Sequence, residues 1–249
     1  MSVEMRDPSF RARQVDDLNP LLVKLTIMSS PSDTAAPRCA RFIALEGVDG
    51  SGKTTQAHLL AAWLRESGCL VVLTREPGGT PLGERLRALI LDPEVGCAPR
   101  AELLMILAAR AQHVADVIQP ALRADKIVIT DRFSLSSLAY QGFGRGIAPD
   151  EIRAADAAAT GGLLPDVTLL IDVSLETVLA RVGTRVDRFE GAGHEFLQRI
   201  IAGYRYLGAV DPTVRVIDGE GAVESVQQAI RRALRPQDTD IPGRGGKDL

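Results

Sequence analysis

The segment Gly47-Val48-Asp49-Gly50-Ser51-Gly52-Lys53-Thr54 constrains this chain more than any other stretch. It has the spacing G-x-x-x-x-G-K-[ST], follows the apolar run Arg41 to Glu46, and opens a helical pattern running from Lys53 to Ser67. Glycines at these places let successive backbone N–H groups turn inward around phosphate oxygens, and the helix start adds the positive end of its dipole. Residues 47 to 54, with Thr55, are therefore expected to bind ATP. Lys53 would reach the β- and γ-phosphates, and the Thr54 hydroxyl would hold Mg²⁺. A plain glycine turn into a helix is the structural alternative. The pattern fixes the ligand class and leaves the reaction open.

Around it, short apolar runs alternate with helical patterns, the signature of a parallel sheet flanked by helices. Five strands are expected, at Arg41 to Glu46, Leu70 to Thr74, Ile127 to Asp131, Val167 to Asp172 and Val214 to Asp218. Helices fill the intervals at Pro81 to Leu91, Arg100 to Arg123, Pro149 to Thr160, Leu175 to Val182, Glu195 to Val210 and Ala222 to Leu234. The predicted fold is a three-layer α/β domain of the P-loop NTPase type over 38–235. Open sheets of this kind bind ligands beyond the carboxyl ends of their strands. Residues 183–193 carry Arg185, Asp187, Arg188 and Glu190 between glycines without apolar periodicity, which suits a short charged lid. Residues 1–37 and 236–249 read as disordered extensions, rich in turn formers and poor in core residues. Met28 is a candidate translation start.

The charge balance, 29 basic against 32 acidic residues, gives a formal net charge of −3 and no broad field for nucleic acid or an anionic membrane. No apolar run approaches the length of a membrane span, and the first seventeen residues lack the apolar centre of a secretory signal. Cys39, Cys69 and Cys97 are odd in number and widely spaced, as for reduced thiols in a cytoplasmic protein.

The third strand ends in Asp131, where a Walker-B carboxylate would position Mg²⁺, and Arg132 follows with a guanidinium fork suited to an acceptor phosphate. The bland alternative is that both pair with neighbouring charges.

Four blocks now carry a resemblance. They are residues Phe42 to Gln56; Thr74-Arg75-Glu76-Pro77-Gly78-Gly79-Thr80; Asp131-Arg132-Phe133 with Ser136-Ser137-Leu138-Ala139-Tyr140-Gln141-Gly142; and Asp187-Arg188-Phe189-Glu190. In this order they resemble the thymidylate kinase family, with a match from about Arg41 to Leu234. The resemblance implies strand order 2-3-1-4-5, a homodimer, and transfer of the γ-phosphoryl group of ATP to dTMP. It further implies that Asp49 bonds the sugar 3′-hydroxyl, that Arg75 and Arg132 face the acceptor phosphate, and that Arg110 and Ser137 read the pyrimidine. Tyr140 would sit against deoxyribose C2′. Arg110 on a solvated helix face and Tyr140 as a core aromatic are the structural alternatives.

In this family the catalytic arginine comes from the P-loop or the lid. Gly50 and Ser51 fill the middle of the loop here, so the lid is expected to supply it through Arg185, then Arg188, with Arg181 third. The chain departs from the family at Ile106, where a phenylalanine usually stacks on thymine. Ile106 would pack flat on the ring, or Leu107 or Phe143 would compensate. Phe133 is a smaller departure. His58, His113 and His194 fall outside the motif positions and read as surface or packing residues.

A phosphate monoester with a second pKa of about 6 is largely dianionic at neutral pH, so no general base is needed. Rival readings are another nucleoside monophosphate kinase, a deoxynucleoside kinase using Glu46 as base, and a P-loop switch. The last would need a guanine motif or a second loop lysine, and position 48 is valine.

Overall fold

Alternation along the first strand decides how the layers form. In the computed structural model, which describes residues 41–182 and 193–234, β1 (Phe42–Glu46) is buried throughout. Ile43 and Leu45 point into one apolar cluster, while Phe42 and Ala44 point into another on the opposite face. A strand covered on both faces belongs at the centre of a parallel sheet. β1 does pair in parallel with β3 (Ile127–Asp131) and β4 (Val167–Asp172).

β2 (Val71–Arg75) lies outside β3, and β5 (Val214–Asp218) lies outside β4. The order β2-β3-β1-β4-β5 is the expected one. The β2 and β5 edges are only partly buried. Asp166 accepts the backbone N–H groups of Arg41 and Phe42 at 2.7 and 2.8 Å, satisfying amides at the start of β1.

The P-loop leads into α1 (Lys53–Glu66), and α2 (Pro81–Leu91) follows β2. Thr80 caps α2 by accepting from Gly83 N at 3.0 Å, with Pro81 at the first helical position. Such a cap is worth about 1 kcal/mol. α1 and α9 (Val223–Ala233) cover the Ile43 and Leu45 face. The larger cluster on the other side takes Ile90, Ile106, Leu107, Tyr140, Ile152, Phe196, Ile200 and Tyr204. These come from α2, α3 (Pro99–His113), α6 (Pro149–Thr160), α8 (His194–Val210) and a π-helical segment, Leu138–Gly144. α7 (Leu175–Val182) precedes the lid.

The expected helix from Arg100 to Arg123 is not one α-helix. α3 ends at His113, a π-helical turn spans Val114–Ile118, and α4 (Gln119–Arg123) completes the rod. Pro120 accounts for the interruption, since it offers no N–H and its ring crowds the carbonyl four residues earlier. A widened turn before it relieves both. Sequence reading also omitted α5 (Ser134–Ser137) and the π segment that continues it. Strand and helix ends differ from expectation by a residue or so, the usual fraying.

All described residues fall in one compact unit, Cys39–Leu249. The extensions expected at 1–37 and 236–249 and nearly all of the lid lie outside the described residues.

Candidate active site

Gly47 turns the chain from β1 into the P-loop with φ 141°, and a Cβ there would lie 2.6 Å from the Ile171 carbonyl oxygen. Only glycine fits both the conformation and the approach. Lys53 folds back over the loop and donates to Val48 O at 2.9 Å, with Nζ 3.9 Å from Asp49. Burial and the nearby Arg132 lower its pKa, against the pull of Asp49, Asp131 and Glu46. Val48 and Ser51 are buried, Asp49, Gly50 and Gly52 are half-buried, and Thr54 and Thr55 are exposed at the start of α1.

Thr54 Oγ1 donates to Asp131 Oδ2, joining the P-loop helix to the carboxyl end of β3. The other oxygen, Asp131 Oδ1, is buried without a hydrogen-bond partner among the described residues. A hydroxyl and a carboxylate side by side, one oxygen unsatisfied, fit Mg²⁺, which takes hard oxygen ligands and keeps several waters. No described cluster of three or more His, Cys, Asp or Glu could cage a metal, so a site here would rest on few protein ligands.

Arg132 sits one residue beyond β3 with φ 77°. A left-handed non-glycine residue costs about 1 to 3 kcal/mol and persists only where its surroundings hold it. They do: the guanidinium donates to Gly47 O, Ser136 Oγ and Tyr204 Oη at 3.0 to 3.1 Å, and to Asp49 Oδ1 at 2.5 Å. Tyr140 Oη lies 3.1 Å from the guanidinium and donates to Asp49 Oδ2 at 2.8 Å, while its ring takes Arg132 at 4.9 Å from the centroid. Burial would raise the Asp49 carboxyl, but Arg132, Lys53 and the Tyr140 hydroxyl together hold it well below the usual range. The pairing of Arg132 with a neighbouring charge, raised from sequence as the bland reading, is thus present.

Glu46 is fully buried and accepts from Phe133 N at 2.8 Å, from the backbone and hydroxyl of Ser136, and from Tyr204 Oη at 3.1 Å. Burial raises its pKa, opposed by Ser136, Arg132 and the Phe133 amide. Its oxygens tie the turn after β3 to β1, and Glu46 is not among the residues lining the cleft beyond Arg132. That removes the carboxylate a deoxynucleoside kinase reading required.

The cleft beyond Arg132 is lined by Asp49, Glu76, Pro77, Arg87, Ile90, Leu91, Ile106, Arg110, Arg132, Ser136, Ser137, Tyr140 and Gln141. Ser137, Tyr140 and Gln141 occur at i, i+3 and i+4, so one helical face carries all three. Arg110, only 1% exposed, is clamped: Nε donates to Glu76 Oε2 at 2.6 Å, Nη1 to Ser137 Oγ at 3.1 Å and to Asp156 at 2.5 Å, and Nη2 to Phe133 O at 3.0 Å. Burial works against its charge, yet Glu76 and Asp156 raise its pKa on balance. Arg110 on a solvated face, the alternative weighed from sequence, is thereby excluded.

Arg75 does not line this cleft. It pairs with Glu84 at 2.9 Å and borders a second opening with Thr54, His58, Thr74 and Asp131, while Arg87 on α2 takes the place by the cleft. Neither Leu107 nor Phe143 compensates for Ile106. Leu107 is core, and Phe143 packs on Tyr206 at 5.7 Å. Ile90 and Leu91 stand with Ile106 in the cleft wall instead. Gln141 was also missed as a site residue: Nε2 donates to Glu102 at 2.9 Å, and Oε1 is buried without a partner among the described residues. The Tyr-Gln-Gly run held that signal. Arg181 donates to Gly219 O at 3.0 Å and to Gly50 O at 3.4 Å. Arg185 and Arg188 lie outside the described residues.

A family model described as thymidylate kinase matches residues 45–230. A thymidylate kinase of Pelotomaculum thermopropionicum is 48% identical over 198 residues, 78% of this chain and 92% of its own length. One of a Synechococcus species is 50% identical over 202 residues, 78% of this chain and 94% of the relative. Among solved structures, the thymidylate kinase of Ehrlichia chaffeensis superposes with a TM-score of 0.66 at 36% identity, covering 78% of this chain and 98% of the other.

Proposed function

The chain belongs to the thymidylate kinase family and phosphorylates dTMP to dTDP, and we propose the division of labour by which its residues do so with ATP as donor. One observation carries the proposal. Asp49, at the tip of the P-loop, bonds both Arg132 and Tyr140, so the triphosphate loop and the acceptor cleft share a wall.

In that arrangement Lys53 and the amides of residues 47 to 55 hold the donor phosphates. Arg132 neutralises charge on the acceptor and on the transferred phosphoryl group, and in-line placement supplies much of the rate. Thr54 and Asp131 would hold Mg²⁺, which when bound screens the β- and γ-phosphates. Asp49 takes the sugar 3′-hydroxyl, and Tyr140 leaves little room at C2′. Arg110, Ser137 and Gln141 read the pyrimidine edge, and Ile106 packs on its face with Ile90 and Leu91. Arg87, beside the cleft, joins Arg132 at the acceptor phosphate in place of Arg75. Arg185, or else Arg188, serves as the catalytic arginine.

We further propose a homodimer. The adjoining α2 and α3 leave Leu82, Leu89 and Leu104 exposed, and a second copy would cover them. No described helix is long and apolar enough to cross a membrane. Cys69 is a free thiol, in keeping with the cytoplasm, where we place the enzyme.

The test is ADP formation with ATP and Mg²⁺ against dTMP, dUMP, UMP, dCMP and AMP, with Lys53→Ala as control. A strong preference for dTMP, lost in the control, supports the assignment of the site. Equal turnover of all pyrimidine monophosphates would overturn the base-reading roles, and ATP hydrolysis without acceptor phosphorylation would overturn the catalytic ones.

A further inference from the structure

His113 is fully buried at the end of α3, one turn beyond Arg110. Its Nδ1 lies 2.9 Å from Glu76 Oε1, and its Nε2 lies 2.6 Å from Thr74 Oγ1. A carboxylate oxygen accepts, so Nδ1 donates to Glu76, while Nε2 pairs with the Thr74 hydroxyl. The other oxygen of Glu76 accepts from Arg110 Nε at 2.6 Å. Thr74, His113, Glu76 and Arg110 therefore form one continuous hydrogen-bonded chain from β2 to the cleft.

Packing pins this chain in place. Gly79, at φ 75°, presses against it so closely that a Cβ would lie 2.8 Å from both the His113 ring and Thr74 Oγ1. Glu76 N donates to Asp131 O at 2.9 Å, fixing the backbone of Glu76 to the end of β3. The Glu76 side chain is then held at one oxygen by His113 and at the other by Arg110. Arg110 in turn commits its Nε–H, both Nη1–H groups and one Nη2–H to protein acceptors. Among the described residues one Nη2–H is left, on a side chain that lines the cleft. Its direction follows from the clamp.

We propose that His113 is a positioning residue for base recognition: by orienting Glu76 it aims the remaining N–H of Arg110 at the pyrimidine carbonyl. This rests on the reading of Arg110 as a base contact. His113 never touches substrate, so its loss weakens dTMP binding and leaves the phosphoryl-transfer step alone.

Two substitutions of similar size separate positioning from packing. In His113→Asn the amide nitrogen stands near Nδ1 and keeps the bond to Glu76. In His113→Gln the amide stands near Nε2 and loses it. With full-length enzyme, His113→Gln is expected to raise the KM for dTMP about tenfold, the scale of one charge-assisted hydrogen bond, with the KM for ATP and kcat within about twofold of the parent. His113→Asn is expected to stay within about twofold throughout. In an Arg110→Lys background, the His113→Gln effect should vanish. Equal KM values for the two His113 variants would overturn the proposal. If Arg110→Lys alone leaves the KM for dTMP unchanged, the base-contact reading of Arg110 fails; if it raises that KM while His113→Gln does not, only the positioning role fails. Should His113→Gln not fold, Thr74→Val keeps the volume and leaves His113 in place. A rise of about threefold in the KM for dTMP then supports the proposal, and a parent-like value overturns it.

Discussion

Asp49 and Arg132 meet at 2.5 Å across the junction between the P-loop and the end of β3. Asp49 belongs to the P-loop and Arg132 to the turn after β3, and Tyr140 bonds both. The pair ties the P-loop to the wall of the cleft by side chains as well as through the sheet.

That pair has a pH signature. Burial alone would raise the Asp49 carboxyl, but Arg132 and Lys53 lower it on balance, so below about pH 4, its unfolded range, the folded state binds fewer protons than the unfolded chain. Stability from this group is present above that range and is lost as the pH falls. Asp49→Asn should lower the melting temperature at neutral pH and make the loss of stability on acidification shallower than in the parent. Thermal melts from pH 7 down to pH 3 check both.

Ile106 lines the cleft with Ile90 and Leu91, and on the proposed reading it packs on the face of the base. Base–aromatic stacking is worth about 1 to 3 kcal/mol, and an aliphatic side chain keeps part of that. Ile106→Phe is expected to lower the KM for dTMP by about fivefold, corresponding to about 1 kcal/mol, with the KM for ATP unchanged. Steady-state kinetics with each substrate varied in turn will read it. A rise in the KM for dTMP would mean that Ile90 and Leu91 leave no room for a ring.

Gln141 lines the cleft and carries a buried carbonyl oxygen without a partner among the described residues, while its amide nitrogen is held by Glu102. Such an atom can accept the N3–H of a pyrimidine. Gln141→Leu should raise the KM for dTMP by about tenfold, as for one lost buried hydrogen bond, with a smaller effect on kcat. Isothermal titration with dTMP gives the binding change directly.

Much of this architecture was legible because the sequence states it locally. Apolar runs between helical periods gave five strands, and family resemblance gave their order. The P-loop, Asp131 and Arg132 announced themselves by spacing. Other features depend on distance across the fold. Glu46 reads as a candidate base at the end of a strand, yet its role is fixed by Phe133 and Ser136, about ninety residues away. His113 reads as packing because a histidine among alanines carries no local signal, and its partners come from β2. Arg75 and Arg87 flank Glu76 and Pro77, which line the cleft. Only the pairing of Arg75 with Glu84 decides which of them reaches it.

The π-helical turn at Val114–Ile118 makes residue count, and not only residue type, part of the site. Upstream of it Arg110 lines the cleft, while Ile118 at its end and Ala121 beyond it pack in the core beneath β1 and β3. An α-helix advances about 100° per residue, and a π turn is in effect a helix holding one residue too many. Deleting a residue between Val114 and Ile118 would rotate one half of the rod against the other by about that angle. Either the core or Arg110 would then face the wrong way, so this stretch accepts exchange of its side chains far more readily than any change in its length.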